Sequence, residues 1–182
     1  MLNAPEPQRF ALFSRILHWL MATLLLSMLF IGVAMVASLT AYHRLLGLHR
    51  PLGIAILILG LVRLLNRKLT QLPPFPPTMS ATERRLASAS ELALYGLMLA
   101  LPLVGWSMLS AGGYPIVMWG SYHLPPIMPV SPRLFAVLRP AHSVLAFALF
   151  ATFITHLSAV LFHTLVVRDG LLWRMLWRRR AK

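Results

Sequence analysis

Five histidines lie in strongly apolar stretches of this sequence, and they are the side chains best suited to chemistry. They are His18, His49, His142, His156 and His163. Ionisable residues inside apolar spans are rare and indicate function by default. Because the chain has no cysteine, imidazole is the obvious metal ligand, and disulfides, iron–sulfur clusters and covalently attached c-type haem are excluded.

Two of these histidines share one stretch of the chain. His142 and His156 are 14 residues apart, which places them within about 40° on one helix face and roughly 21 Å apart along the axis. Both therefore fit inside a hydrocarbon layer of about 30 Å, one near each side.

The direction of the chain supplies a partner for each of the two. Consecutive spans alternate in direction, so His49 lies at the depth of His142 and His18 at the depth of His156. A haem takes an axial ligand on each face, and helix bundles hold cofactors between facing helices. The sequence thus predicts two b-type haems, ligated by His49 with His142 and by His18 with His156, which form an electron path across a membrane.

His163 follows His156 by seven residues and could compete for His18. That pairing would put a haem about 32 Å from the level of His142, at the lipid–water boundary, so His156 is the preferred ligand. Two roles remain open for His163. It could contact a quinone carbonyl or carry its proton beside the inner haem, or it could be a structural histidine of the interface.

Basic residues flank the predicted outer haem. Arg50 and Arg139 lie one and three residues from His49 and His142, and either could bind the haem propionates. The alternative is that both reach only to lipid headgroups. The outer side carries no carboxylate, since all four acidic residues lie toward the inner side, and such a positive surface would attract a small anionic electron donor.

The elements that position these residues are four apolar spans. Hydrophobic residues make up 58% of the 182 residues and charged residues only 12%, a balance typical of a chain whose solvent is lipid. The spans cover about residues 12–37, 44–66, 88–110 and 140–167, each long enough to cross a bilayer. We expect an all-α integral membrane four-helix bundle, with residues 1–182 as one transmembrane cytochrome b domain.

The net charge of +13 indicates membrane orientation rather than nucleic-acid binding. Thirteen of the 17 Lys and Arg lie on the side of the N-terminus, and four lie on the other side. This distribution predicts that both termini are cytoplasmic. The first span could also be read as a signal peptide, but its length and the three spans that follow favour a retained helix.

The connections between spans are predicted from their composition. A short turn is expected at residues 40–42, and the proline-rich segment 71–80 links spans two and three. Ser80 and Glu83 have capping-box spacing, which predicts a helix start before span three. The long segment 110–140, rich in glycine and proline, is expected to be irregular.

The sequence resembles the bacterial cytochrome b561 family of small di-haem membrane cytochromes, which includes a superoxide oxidase. The likeness covers nearly the whole chain and rests on RILHW (15–19), HRPLG (49–53), VRL (62–64), LY (94–95), ALPLVG (100–105), the histidines of span four, DG (169–170) and RM (174–175). The resemblance implies four spans, haem ligands at His18, His49, His142 and His156, a quinone contact at His163, and one-electron exchange with membrane quinone. The sequence departs from the superoxide oxidase at 88–91, where SASE replaces histidines.

Two functions of different classes follow. The first is an oxidoreductase of the bacterial inner membrane that transfers electrons from a periplasmic donor, with superoxide favoured by the resemblance, to ubiquinone. The second is a membrane-anchor cytochrome b subunit that relays electrons for a separate dehydrogenase, hydrogenase or reductase. A haem-free transport or scaffold protein is the least favoured reading.

Overall fold

The computed structural model describes residues 9–118 and 122–176, and its framework is four long helices. They are α1 (Leu12–Ala37), α2 (Leu39–Leu69), α3 (Ala81–Ala111) and α4 (Pro132–Phe162). Each contains a stretch long and apolar enough to cross a membrane. The predicted all-α four-span architecture is confirmed, and the cations at positions 178, 179, 180 and 182 lie outside the described residues.

Many large apolar side chains of the helices face outward. Phe30, Leu92 and Phe147 expose 68%, 74% and 75% of their surface, which is the distribution expected where lipid surrounds the bundle. The buried core is a small cluster at mid-bundle. It consists of Met21, Leu25, Ile56, Tyr95, Met98, Leu101 and Leu149.

The helices pack as two pairs. α1 packs along α2, α4 packs along α3, and contacts between α2 and α3 join the pairs. In the described part of the chain, α4 has few close backbone contacts with α1 or α2. The α4 backbone therefore lies farther from the first pair of helices than from α3.

A single residue, Ser38, separates α1 from α2. Its N–H donates to the Ala34 carbonyl at 3.0 Å, and its Oγ accepts from the Ala41 N–H at 3.3 Å. One serine thus ends one helix and caps the next. The predicted turn at residues 40–42 is wrong, because those residues already belong to α2.

The proline-rich link ends where α3 begins, at a capping box. The Ser80 N–H donates to Glu83 Oε2 at 2.7 Å, and the Glu83 N–H donates to Ser80 Oγ at 3.2 Å. This confirms the predicted helix start and satisfies two amide groups that a helix N-terminus leaves without internal partners.

The segment between α3 and α4 contains an antiparallel hairpin that the sequence did not predict. Strand β1 (Ile116–Met118) pairs with β2 (Tyr122–Leu124), with Ile116 opposite Leu124. Ile116 and Met118 are buried against the bundle, and this burial orders a short strand in spite of the surrounding prolines. We call this end of the molecule the hairpin end.

At the opposite end, which we call the terminal end, the chain folds back onto α1. α4 continues into a π-helical turn (His163–Val167), and a 3₁₀ turn (Leu172–Arg174) follows. The Trp19 indole N–H then donates to the Met175 carbonyl at 2.9 Å. The start of α1 and the last described residues are thereby held together.

Candidate functional site

His49 and His142 face each other near the hairpin end. Their ring centroids lie 6.2 Å apart with an angle of 67° between the ring planes. Two metal–imidazole bonds of about 2 Å each put the centroids of a ligand pair roughly 6 Å apart. The separation therefore suits a metal ion bound between the two rings.

The ring of His142 rests against a glycine. A Cβ at Gly105 of α3 would lie 3.2 Å from His142 Cε1, closer than ordinary van der Waals contact. The absence of a side chain at this position leaves room for the imidazole. In the sequence, Gly105 stands out only as the last residue of the ALPLVG motif, without a function of its own.

Buried nitrogen atoms at this pair remain unsatisfied. Nδ1 of His49 and Nε of Arg50 have no hydrogen-bond partner among the described residues, whereas His142 interacts with the backbone of Leu101 on α3. Buried polar atoms in proteins are normally paired, so these atoms fit a site whose full set of partners includes a bound group.

The two arginines predicted to flank this pair differ in position. Arg50 donates from Nη1 to the Pro115 carbonyl at 3.2 Å and lines an open cavity of about 600 Å³, together with His43 and Val117. Arg139 is exposed on α4. The structure thus places Arg50, and not Arg139, against the segment that precedes the hairpin.

The second pair, His18 and His156, lies toward the terminal end with an arginine beside it. Arg63 Nη2 lies 3.0 Å from His18 Nδ1, and Arg63 Nε donates to the Tyr95 hydroxyl at 3.1 Å. His156 is within electrostatic range of both His18 and Arg63. All four helices therefore contribute to one polar cluster inside the apolar bundle.

Sequence reasoning missed the role of Arg63, although a signal was present. Arg63 follows His49 by 14 residues, the same interval that separates His142 from His156. α2 thus presents His49 at one depth and Arg63 at the other, on nearly the same face. The interval alone could have identified Arg63 as a member of the second cluster.

His163 lies at the start of the π-helical turn and forms a buried ion pair. Its Nδ1 is 2.6 Å from Asp169 Oδ2, and the two side chains expose only 7% and 1% of their surface. Asp169 also accepts from the Leu171 N–H at 3.0 Å and from the Thr78 hydroxyl at 3.4 Å. This partner could not be predicted from the sequence, because the pairing depends on the turn that reverses the chain at Arg168.

The remaining histidines are apart from these clusters. His43 is exposed on α2, and His123 is exposed on β2. The five histidines singled out from the sequence therefore form one facing pair, one four-helix cluster with Arg63 and Tyr95, and one buried contact with Asp169.

The facing pair and the cluster with Arg63 each contain two imidazoles. Within the described residues, no group of three or more His, Asp or Glu side chains could hold a metal ion, and a zinc site needs three or four protein ligands. A haem supplies four ligands from its own ring and takes one imidazole on each face. The ligand count, the 6.2 Å separation and the orphaned nitrogens fit haem.

Comparisons with known proteins agree with this chemistry. The family described as prokaryotic cytochrome b561 matches residues 9–178. Cytochrome b561 homolog 2 of Escherichia coli K12 is 30% identical over 174 residues, which cover 93% of this chain and 92% of that protein. The probable superoxide oxidase CybB of Yersinia pestis is 30% identical over 138 residues, or 74% of this chain and 76% of the relative. Cytochrome b561 homolog 1 of Escherichia coli K12 is 27% identical over 132 residues, or 72% and 74%.

The match spans all four helices and every histidine discussed above, and the family implies binding of haem b. The chain therefore belongs to the prokaryotic cytochrome b561 family of multi-pass electron-transfer proteins of the bacterial inner membrane.

Proposed function

We propose that this protein holds two b haems and transfers electrons across the inner membrane from a periplasmic donor to quinone. The observation that carries the proposal is the facing pair of His49 and His142, whose 6.2 Å ring separation suits axial ligation from both sides. His18 and His156 are the proposed ligands of the second haem, on the side of the terminal end. Each haem, when bound, supplies a one-electron carrier.

The residues around each pair have distinct tasks. His49 and His142 would ligate one haem and orient it. Gly105 leaves space for the His142 ring. Arg50, whose Nε is buried without a partner among the described residues, is available to a haem propionate, whereas the exposure of Arg139 makes it the weaker candidate. The lipid-facing apolar side chains of the helices keep water from both pairs.

The proposed direction of electron transfer rests on the distribution of basic residues between the two sides of the membrane. The basic residues favour cytoplasmic termini, so the hairpin end faces the periplasm. Four arginines lie on that side without any carboxylate, and one of them, Arg50, lines an open cavity. A small anion such as superoxide would be attracted there, and one relative carries the name probable superoxide oxidase.

His163 is the proposed quinone contact at the cytoplasmic side. Asp169 holds its Nδ1, so Nε2 is the atom left to hydrogen-bond a quinone carbonyl or to pass a proton to it. The carboxylate accepts a hydrogen bond from Nδ1–H and so fixes the ring orientation, and Nε2 can donate to a quinone carbonyl when the ring carries a proton on each nitrogen. Reduction of a quinone to a quinol consumes two electrons and two protons, and a histidine at this depth is suited to deliver one of the protons.

Proteoliposomes test the proposal. Purified protein is reconstituted with ubiquinone in the membrane, and superoxide is generated outside the vesicles while haem absorbance and quinol are followed. We expect rapid haem reduction and quinol formation, both abolished by superoxide dismutase. His142→Ala should abolish the transfer, whereas His123→Ala, a change of an exposed histidine on β2, should not.

A relay subunit would behave differently in the same assay. It would exchange electrons with quinol but remain inert toward superoxide until a catalytic partner protein is added. If neither superoxide nor quinol alters the haem spectrum, the proposed function is wrong.

A further inference from the structure

Arg63 is a permanently charged side chain inside a membrane-spanning helix. It lies in α2, half-buried, among leucines and valine. Charged residues at such positions are costly unless they are paired, and they face the interior of the bundle or a cavity. Arg63 follows this rule, since its guanidinium points at His18 and Tyr95.

The described residues give Arg63 no carboxylate partner. The two ion pairs found there are Arg67 with Glu91 and His163 with Asp169. Arg63 has instead a hydroxyl, an imidazole nitrogen and the face of the Tyr95 ring, 5.6 Å from its Cζ. Its positive charge is thus solvated by neutral groups and is not neutralised.

The contact with His18 is incompatible with ligation of a metal by Nε2 of the same ring. A guanidinium only donates hydrogen bonds, so His18 Nδ1 must accept, which puts the proton of the neutral imidazole on Nε2. Ligation through Nε2 requires the opposite arrangement, with the proton on Nδ1. When His18 binds iron through Nε2, Arg63 must therefore turn to another acceptor.

A haem brings such an acceptor with it. Its propionates are carboxylates, which arginine binds by paired charge-assisted hydrogen bonds. Arg63 is at the depth of His18 and within electrostatic range of His156, whereas the arginines beside the other pair lie at the hairpin end. The cytoplasmic-side haem has no other unneutralised cation in contact with one of its proposed ligands within the described residues.

We infer that Arg63 binds a propionate of the haem held between His18 and His156 and releases His18 Nδ1 when that haem is bound. This inference rests on the proposed function, because it requires the second haem. It assigns to Arg63 a cofactor-binding role and a positive charge that stabilises the reduced form of that haem.

The test uses the purified holoprotein with Arg63→Gln and Arg63→Lys, and with Arg67→Gln as the matched control. The Arg67 guanidinium also lies over the Tyr95 ring, at 5.9 Å, but it is paired with Glu91. Two readouts are combined: redox titration of both haems, and reduced-minus-oxidised infrared spectra of protein grown with ¹³C label in the haem propionate carboxyls.

In Arg63→Gln we expect one haem to become harder to reduce. Its equilibrium constant for reduction should fall at least tenfold, which lowers the reduction potential by about 60 mV for a one-electron couple. The label-sensitive carboxylate bands should shift in the same variant. Loss of one haem from Arg63→Gln, with retention in Arg63→Lys, would also support the inference. Arg67→Gln leaves Glu91 without its partner, and Glu91 acts electrostatically on His156, so this control is judged by the propionate bands, which should stay as in the wild type.

Unchanged potentials in Arg63→Gln would overturn the inference. So would a changed potential with unaltered propionate bands, which would make Arg63 a nearby charge rather than a propionate ligand. Equal loss of haem from Arg63→Lys would assign Arg63 to the packing of the site. A wild-type protein with fewer than two haems would contradict the proposed function itself and is recognised before any variant is measured.

Discussion

The rings of His49 and His142 face each other at a centroid separation of 6.2 Å, although the two residues come from different helix pairs of the bundle. α4 packs on α3 and α2 packs on α1, so the two histidines meet across the layer where backbones are far apart. A flat cofactor inserted between imidazoles needs such a layer. Gly105 on α3 supports the arrangement from behind His142.

Gly105→Ala should disturb the haem at the hairpin end. The added Cβ would lie 3.2 Å from His142 Cε1, so the ring must move by a few tenths of an ångström or lose its alignment with His49. We expect a changed potential or partial loss of one haem, measured by redox titration and haem content. Gly96→Ala on the same helix is the control, because nothing lies within 4 Å of its new Cβ. Identical behaviour of the two variants would contradict a positioning role for Gly105.

His156→Ala and His163→Ala should have different effects on haem content. His156 is a proposed ligand, so its removal should leave one haem of two. His163 is paired with Asp169 instead, so its removal should retain both haems and slow the exchange of electrons with quinone. Equal loss of haem from both variants would disprove the assignment of His156 as the ligand.

Much of this arrangement could be predicted from the sequence, because helix periodicity and chain direction are local properties. The 14-residue interval between His142 and His156, with alternating spans, was enough to bring His49 opposite His142. The partners of Arg63 and His163 could not be predicted in the same way. Tyr95 meets Arg63 only through the rotation of α3 against α2, and Asp169 reaches His163 only through a π-helical turn and a left-handed Arg168.

The hairpin and the link between α1 and α2 were both mispredicted. Glycine and proline indicated an irregular segment at residues 110–140, but burial of Ile116 and Met118 against the bundle ordered a strand, and α4 begins already at Pro132. At Ser38, a single cap residue replaced the expected turn. A tertiary contact orders the hairpin and a local cap hydrogen bond forms the link at Ser38, and amino-acid composition predicts neither.

Asp169→Ala should reduce quinone exchange while both haems remain. It removes the acceptor that orients His163, and we expect a loss of about tenfold in the rate, equivalent to roughly 1.4 kcal/mol, in the range of one hydrogen bond to a charged group. Asp169→Asn retains an acceptor oxygen and should recover part of the rate. Thr78→Val is the control, since Thr78 contacts Asp169 and not His163. A normal quinone rate in Asp169→Ala would make the ion pair purely structural.

Ser80→Ala should lower stability without affecting the redox centres. It removes the serine side chain from the capping box at the start of α3, and such a cap contributes about 1 kcal/mol. Thermal unfolding in detergent should show a lower midpoint, while the haem spectrum and the quinone rate stay as in the wild type. A change in either haem would mean that the start of α3 is coupled to the cofactor sites.

Haem content per polypeptide of the purified wild-type protein tests the central claim most directly. The haem is extracted and measured as its pyridine complex, and the protein is measured by quantitative amino-acid analysis. Two ligand pairs at two depths predict two b haems per chain. A value of one or none would contradict the proposed path across the membrane.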